Sequence, residues 1–310
     1  MQNQDIPFLG VDVGGTHLKI GLVNKSGEIL DFQKEETTTY REYPEGFGPK
    51  FIKELDKYLN KYPEVREVGI GLPGLISKDR TVPLEIPAIP GLNGFKLKEG
   101  LKKAYPEHDF FLENDAAAAA IGEFYFGQDD PAENFLFVTL GTGIGSALVL
   151  DGQVFKGSRG NAMEMGHMLA RDNARLETLV GRGGILNILD KYLKAHPDQA
   201  GDLAHEVPGI HMLVKGAREN NPVALKVFEE VGEILGAAIV STVRILDVTE
   251  IYFGGGVSAG LEFILPSMKK VLNDSLTSYY TKSLHLKRAT LENDAGTLGA
   301  AALCFMGSGL

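Results

Sequence analysis

The chain has 310 residues, of which 44% are hydrophobic and 23% are charged, the composition of an ordinary globular protein large enough for two domains. Its formal net charge of −10 argues against general binding to nucleic acid or to anionic membranes, because both favour basic surfaces. Cys304 is the only cysteine, which excludes a disulfide framework and a thiolate metal cluster.

The N-terminal residues lack the basic and apolar pattern of a secretion signal, and no apolar run approaches the roughly 18 residues of a membrane span. We therefore expect a cytoplasmic protein with neither a membrane nor a nucleic acid as partner. The first predicted strand begins within the first ten residues, so we expect no DNA-reading module before it.

The first motif, residues 8–24, is a glycine-rich turn between two β-type runs. It predicts a hairpin whose strands are joined at Gly14, Gly15 and Thr16. Glycines let the backbone approach a ligand and aim several N–H groups at one point, and Asp12 at the strand end could hold a hydrated metal ion. A plain tight hairpin with an exposed aspartate has the same pattern, so the rest of the chain must decide between them.

The segment after this hairpin predicts a mixed α/β sheet. Residues 28–34 and 65–71 have strand patterns, and an amphipathic helix lies between them. Its apolar face consists of Phe51, Ile52, Leu55, Tyr58, Leu59 and Tyr62. Residues 81–94 contain three prolines and predict a loop rather than an element.

A short helix is predicted over 95–105 and a short strand over 109–112. Glu113, Asn114 and Asp115 then cap a helix over 116–126, which contains five consecutive alanines.

The opening pattern then returns, because residues 138–152 align with residues 11–27 as strand, glycine turn, strand and turn. The second turn is Gly141-Thr142-Gly143. Asp12 stands opposite Thr139, so only the first copy has a carboxylate. The repeat predicts two related α/β halves that bind one polyphosphate chain asymmetrically, with metal at the acidic end.

Helices are predicted over 176–193 and 217–246, followed by a strand over 248–253. This strand runs into Gly254, Gly255 and Gly256, which suits packing of the backbone against a nucleobase or ribose. A final small-residue helix over 294–306 contains Cys304, which we expect in the core.

Five polar residues are candidates for binding a small ligand, although each also has a structural explanation. Asn114 and Asp115 suit a helix N-cap, Glu164 and His167 suit a surface turn, and Glu177 suits the first turn of a helix. Together they match a polyhydroxylated ligand, whose hydroxyl groups both donate and accept hydrogen bonds. A carboxylate beside a hydroxyl, with a metal-bound polyphosphate nearby, supplies phosphoryl transfer.

These motifs together resemble the ROK family (repressors, open reading frames and sugar kinases) of the sugar-kinase/actin-like ATPase superfamily, over essentially the whole chain. The similar segments are residues 12–16 (DVGGT), 71–74 (GLPG), 113–118 (ENDAAA), 140–145 (LGTGIG), 164–167 (EMGH), 176–177 (LE), 253–257 (FGGGV) and 295–300 (AGTLGA).

The resemblance implies an α/β fold of two actin-like (ribonuclease H-like) domains, with mixed sheets flanked by helices and an active-site cleft between them. The expected domains are residues 1–115 and 116–294, with the C-terminal helix at about 295–310 packed on the first. The resemblance also implies a homodimer.

The activity implied is that of an ATP- and Mg²⁺-dependent hexose 6-kinase, in the first place a glucokinase. Asp115 would be the general base, and Asp12 would hold Mg²⁺ through phosphate or water. The other implied sugar contacts are Gly74, Asn114, Glu164, His167 and Glu177. The implied nucleotide and phosphate contacts are Asp12, Gly14, Gly15, Thr16, Lys19, Gly141, Thr142, Gly143, Gly254, Gly255 and Gly256.

The chain departs from the family pattern in two places. Many family kinases carry a Cys-x-Cys-Gly-x-x-Gly-Cys zinc segment after the Gly-His pair, but residues 168–184 contain no cysteine, so we expect no zinc site and no zinc role for His167. Ala88 stands where the family often has an asparagine, which removes one sugar contact. The zinc-free segment also resembles polyphosphate glucokinases, so the donor stays open.

The acceptor stays open as well, among glucose, mannose, fructose and an N-acetylated amino sugar such as N-acetylmannosamine. A sugar-sensing regulator without catalysis is the alternative from another class. The retained Asp12 and Asp115 argue against it.

Overall fold

The computed structural model describes residues 6–127, 131–204 and 209–307. Its strands are β1 (Phe8–Val13), β2 (His17–Val23), β3 (Ile29–Glu36), β4 (Glu67–Leu72), β5 (Leu75–Ile76), β6 (Pro83–Glu85), β7 (Asp109–Asn114), β8 (Phe135–Leu140), β9 (Ile144–Leu150), β10 (Gln153–Val154), β11 (Glu250–Gly254) and β12 (His285–Arg288). Its helices are α1 (Thr38–Arg41), α2 (Phe47–Lys61), α3 (Leu97–Ala104), α4 (Asp115–Gly122), α5 (Leu176–Val180), α6 (Arg182–Ala195), α7 (Ile210–Arg218), α8 (Pro222–Leu246), α9 (Leu261–Ser275), α10 (Ser278–Thr281) and α11 (Ala295–Gly307).

The chain forms two compact units. The first comprises the described residues up to 133, together with 147–163 and those from 293 onward, and the second comprises 134–146 and 164–292. Helix α4 and helix α11 therefore both belong to the first unit.

Each of the two main sheets has five strands in the same arrangement. The orders are β3-β2-β1-β4-β7 and β10-β9-β8-β11-β12, and in both sheets the first hairpin strand lies at the centre beside a parallel strand. The first strand has six residues and the second has seven in both copies. The internal repeat therefore extends from the glycine turns to the whole sheets.

Helix α11 packs against β1 and β4 in the first unit, and small residues make this contact close. A Cβ atom at Gly10 would lie 2.2 Å from the carbonyl oxygen of Thr297, and one at Gly69 would lie 1.7 Å from that of Ala300. Cys304 on this helix is fully buried, as expected. The C-terminal helix therefore completes the core of the N-terminal sheet.

The helices of the second unit differ in detail from the sequence prediction. The helix predicted over 176–193 is broken at Gly181, whose extended backbone (ψ 170°) separates α5 from α6. The helix predicted over 217–246 begins at Pro222, and Ala217 belongs to α7. Asn221 accepts the N–H of Ala224 at 3.0 Å, and this cap followed by proline at the first helical position explains the start of α8.

Two predictions in the first unit also need correction. The segment 81–94 is not simply a loop, because it contains β6 and a 3₁₀ turn over Pro90–Leu92. The helix predicted over 116–126 changes after Gly122 into a π-helical turn, Glu123–Gly127. Within the described residues, no helix is long and apolar enough to cross a membrane.

Candidate active site

The first glycine turn is stabilised by hydrogen bonds from Thr37, a residue that the sequence motifs do not indicate. The hydroxyl of Thr37 donates to the carbonyl oxygen of Gly14 at 2.7 Å, and its backbone N–H donates to that of Thr16 at 2.9 Å. Thr37 is fully buried, and the turn is closed by a third bond from the N–H of Gly14 to the carbonyl of His17 at 2.9 Å. Two carbonyl groups of the turn thus have partners on one residue. Nothing in the sequence around Thr37 signals this role.

Asp12 lies at the end of β1 with its side chain 17% exposed, and Lys19 Nζ lies 3.5 Å from Oδ2. Burial raises the pKa of Asp12, and the charge and hydrogen bond of Lys19 oppose that rise without cancelling it. Lys19 also donates to the carbonyl oxygen of Asn293 at 3.0 Å. A Cβ atom at Gly296 would lie 2.4 Å from Oδ2, so the start of α11 lies directly against this carboxylate.

The donor set at Asp12 fits a hydrated Mg²⁺ ion better than a closed metal cage. Mg²⁺ keeps several waters and takes one or two carboxylates together with phosphate oxygens. A single, partly buried carboxylate that faces the monovalent Lys19 can also face a divalent cation on its open side. Among the described residues, no group of three or more His, Cys, Asp or Glu side chains could hold a metal.

The end of β7 brings together three of the predicted sugar contacts. Asn114 accepts the N–H groups of Ala116 and Ala117 at 3.0 and 3.1 Å, and its Nδ2 donates to the carbonyl oxygen of Gly74 at 3.1 Å. Asp115 Oδ1 accepts the N–H of Ala116 at 2.8 Å. Asn114 is therefore a true helix N-cap, and this role fixes its side chain beside Gly74 and Asp115.

Gly74 has φ +84°, a left-handed conformation in which a side chain is strained, and a Cβ atom there would lie 2.2 Å from the carbonyl oxygen of Glu85. The glycine is thus required by the turn itself. Ala88 packs against the hydrophobic core of the first unit.

In the second unit, His167 lies between two carboxylates. Its Nε2 is 3.3 Å from Glu177 Oε1, and its Nδ1 is 3.9 Å from Glu164 Oε2. Burial raises the pKa of Glu164, with a smaller contribution from Glu177, while His167 lowers it. The N–H of Met165, next to Glu164, donates to the hydroxyl of Ser146 at 3.2 Å. The structure therefore brings the three predicted residues together.

The second glycine turn and the triple glycine follow neighbouring parallel strands, β8 and β11, in which Thr139 pairs with Gly254. The N–H of Gly141 donates to the carbonyl of Gly143 at 3.0 Å. Gly255 has φ +79°, and a Cβ atom there would lie 2.4 Å from the carbonyl oxygen of Leu140. The two segments thus lie close together after the carboxyl ends of these two strands. Because both are rich in glycine, they offer a ligand backbone groups rather than side chains.

The profile of the ROK family matches residues 8–306, which is nearly the whole chain. The chain belongs to the ROK family. A protein of Halalkalibacterium halodurans named glucokinase is 29% identical, over 96% of this chain and 94% of its own. The xylose repressor of Caldicellulosiruptor bescii is 23% identical over 97% of this chain and 79% of its own.

Two solved structures agree with this assignment. A Cytophaga hutchinsonii protein, provisionally assigned as a sugar kinase, has a TM-score of 0.91 and 37% identity, over 96% of this chain and 99% of its own. The ROK family glucokinase of Streptomyces griseus, solved with glucose and AMPPNP, has a TM-score of 0.82 and 26% identity, over 97% of this chain and 99% of its own. The predicted family and the predicted α/β fold of two actin-like domains are both confirmed.

Proposed function

We propose that this ROK protein transfers the γ-phosphoryl group of ATP to the 6-hydroxyl of a hexose, in the first place glucose, with Asp115 as the general base. The observation that carries the proposal is the end of β7, where Asn114 is fixed by three hydrogen bonds beside Asp115 and Gly74. A carboxylate positioned in this way can accept the proton of a bound hydroxyl. The glucokinases among the relatives support the same reaction.

The remaining residues take the roles expected from the sequence. We propose that the other sugar hydroxyls are held by five residues that the resemblance also implies: Gly74, Asn114, Glu164, His167 and Glu177. The backbone N–H groups of the two glycine turns, with Lys19, would hold phosphates. Gly254, Gly255 and Gly256 would flank the adenosine.

Asp12 would hold Mg²⁺ through water or phosphate, and the ion, when bound, neutralises charge on the transferring phosphoryl group. The chain itself positions these groups. Lys19 and the start of α11 contact the Asp12 carboxylate, and Thr37 holds the adjacent glycine turn by hydrogen bonds. We further propose a homodimer in the cytoplasm, and the mass in solution by light scattering tests the oligomeric state.

A coupled assay with glucose, mannose, fructose and N-acetylmannosamine, each with ATP or with inorganic polyphosphate, tests the proposal. We expect glucose with ATP to give the highest kcat/KM and ³¹P NMR to show a 6-phosphate. Preference for polyphosphate would keep the chemistry and change the donor. Sugar binding without phosphorylation of any hexose would overturn the proposal in favour of a sugar-sensing regulator.

Replacement of Thr37 by valine tests the support of the first phosphate turn. The change leaves the partly buried carbonyl of Gly14 without its side-chain donor, and the loss of one such hydrogen bond costs about 0.5–1.5 kcal/mol. We expect KM for ATP to rise about tenfold, with KM for the sugar nearly unchanged. Thr37→Ser keeps the hydroxyl and should behave like the wild type, and equal KM values in all three proteins would contradict this role.

A further inference from the structure

Glu113, directly before Asn114 and Asp115, has a buried carboxylate with two cationic partners. Its side chain is 2% exposed, and Arg80 Nε lies 2.9 Å from Oε1 and 3.0 Å from Oε2. Lys156 Nζ lies 3.0 Å from Oε2. Oε1 also accepts the backbone N–H of Asn114 at 2.9 Å. The cluster of Glu113, Arg80 and Lys156 is therefore tied to the backbone immediately before the proposed base.

Arg80, which belongs to this cluster, has an unusual backbone conformation. Its φ is +56°, in the left-handed region that non-glycine residues rarely adopt, and such a conformation persists only where the surroundings determine it. Its Nη2 donates to the carbonyl oxygen of Gly160 at 2.6 Å and its Nη1 to that of Ser77 at 3.3 Å. Arg80 thus joins the Glu113 carboxylate to a second backbone segment.

That second segment, residues 156–163, is also fixed at Asn161. Asn161 Oδ1 accepts the N–H of Ile76 at 3.0 Å, and Nδ2 donates to the carbonyl oxygen of the same residue at 2.9 Å. Glu164, a proposed sugar ligand, follows Met163 directly in the chain. The cluster and Asn161 together hold this segment within the first compact unit.

We propose that Arg80 and Lys156 are positioning residues for Asp115, acting through the Glu113 carboxylate and the backbone of Asn114. The inference rests on the proposed function, because Asp115 is a base only if a hydroxyl is phosphorylated. A buried carboxylate that loses one cation must shift toward another partner or toward water. Any such shift is passed to the Asn114 N–H, and a displacement of about 1 Å at a reacting group can cost about a hundredfold in rate.

Lys156 is the residue to change, because its side chain is 44% exposed and its replacement should not prevent folding. Lys156→Met keeps the aliphatic stem and removes the charge, whereas Lys156→Arg keeps the charge. Lys102→Met is a matched control, because Lys102 is 49% exposed and lies 2.9 Å from Asp109, whose side chain is 67% exposed.

We expect kcat to fall about tenfold or more in Lys156→Met, with KM for ATP within about twofold of the wild type. Lys156→Arg should recover kcat to within about threefold, and Lys102→Met should stay within about twofold. Amide hydrogen exchange should accelerate at Asn114 and Ile76 in Lys156→Met alone, since only that variant loosens the cluster.

Each outcome separates this inference from the proposed function. A wild-type protein inactive toward every hexose would overturn both. An active wild type with unchanged kcat in Lys156→Met would overturn the positioning role and leave the kinase assignment standing. An equal loss in Lys156→Arg, a parallel rise in KM for ATP, or unchanged exchange at Asn114 would overturn the positioning role as well.

Discussion

Replacement of Asp115 by asparagine is expected to lower kcat by about 10²–10⁴-fold, the range for loss of a general base. The substitution keeps the size of the side chain and an oxygen that can accept the N–H of Ala116, which Asp115 Oδ1 accepts at 2.8 Å in the wild type. The substitution removes the negative charge and with it the ability to take a proton. Affinity for the sugar, measured by calorimetry without nucleotide, should therefore change little.

The control is Asp109→Asn, at the other end of the same strand, β7. Asp109 is an exposed aspartate paired with Lys102, and its replacement should leave kcat and sugar affinity as they are. If Asp115→Asn retained kcat within about tenfold of the wild type while Asp109→Asn behaved normally, another group would have to be the base. A loss of sugar binding in Asp115→Asn would instead make this carboxylate a binding contact.

The repeat was the part of the fold that the sequence predicted best. Two glycine turns at aligned positions, each between β-type runs, indicated two related halves, and the sheets have identical strand arrangements. The local reason is strong, because glycine turns and β-branched runs restrict the backbone directly. Helix ends were harder to place. The break at Gly181 coincides with a contact between distant residues, because the N–H of Arg182 donates to the carbonyl oxygen of Gly141 at 2.9 Å.

The candidate site divides in the same way. Polar residues at strand ends and helix starts have recognisable patterns, and these patterns identify the candidates Asn114, Asp115, Glu164, His167 and Glu177. No such pattern identifies Thr37, Arg80 and Lys156, because each contacts a residue more than 20 positions away in a way that only the folded chain creates. Sequence motifs therefore indicate candidate ligand contacts, whereas the residues that support them from distant parts of the chain are recognised only in the folded structure.

The largest effect on stability is expected from Gly69→Ala, which adds one methyl group between β4 and α11. The added Cβ would lie 1.7 Å from the carbonyl oxygen of Ala300 and 2.6 Å from its carbonyl carbon. Both of these atoms belong to the backbone, so the clash cannot be relieved by a change of side-chain rotamer. Gly10 lies beside Gly69 in the sheet and contacts the same helix. Overpacking of a core costs about 1–3 kcal/mol, and we expect the upper end, near 3 kcal/mol.

Thermal unfolding followed by circular dichroism measures this effect, and the midpoint should fall by roughly 5 °C. Gly91→Ala is the matched control, because a Cβ atom there meets nothing within 4 Å and its φ is not positive. That variant should be neutral or slightly stabilised, since alanine restricts the unfolded chain more than glycine does. Equal midpoints in the two variants would mean that α11 can move away from β4 at little cost. The close packing of Gly10 and Gly69 against α11 would then contribute little to stability.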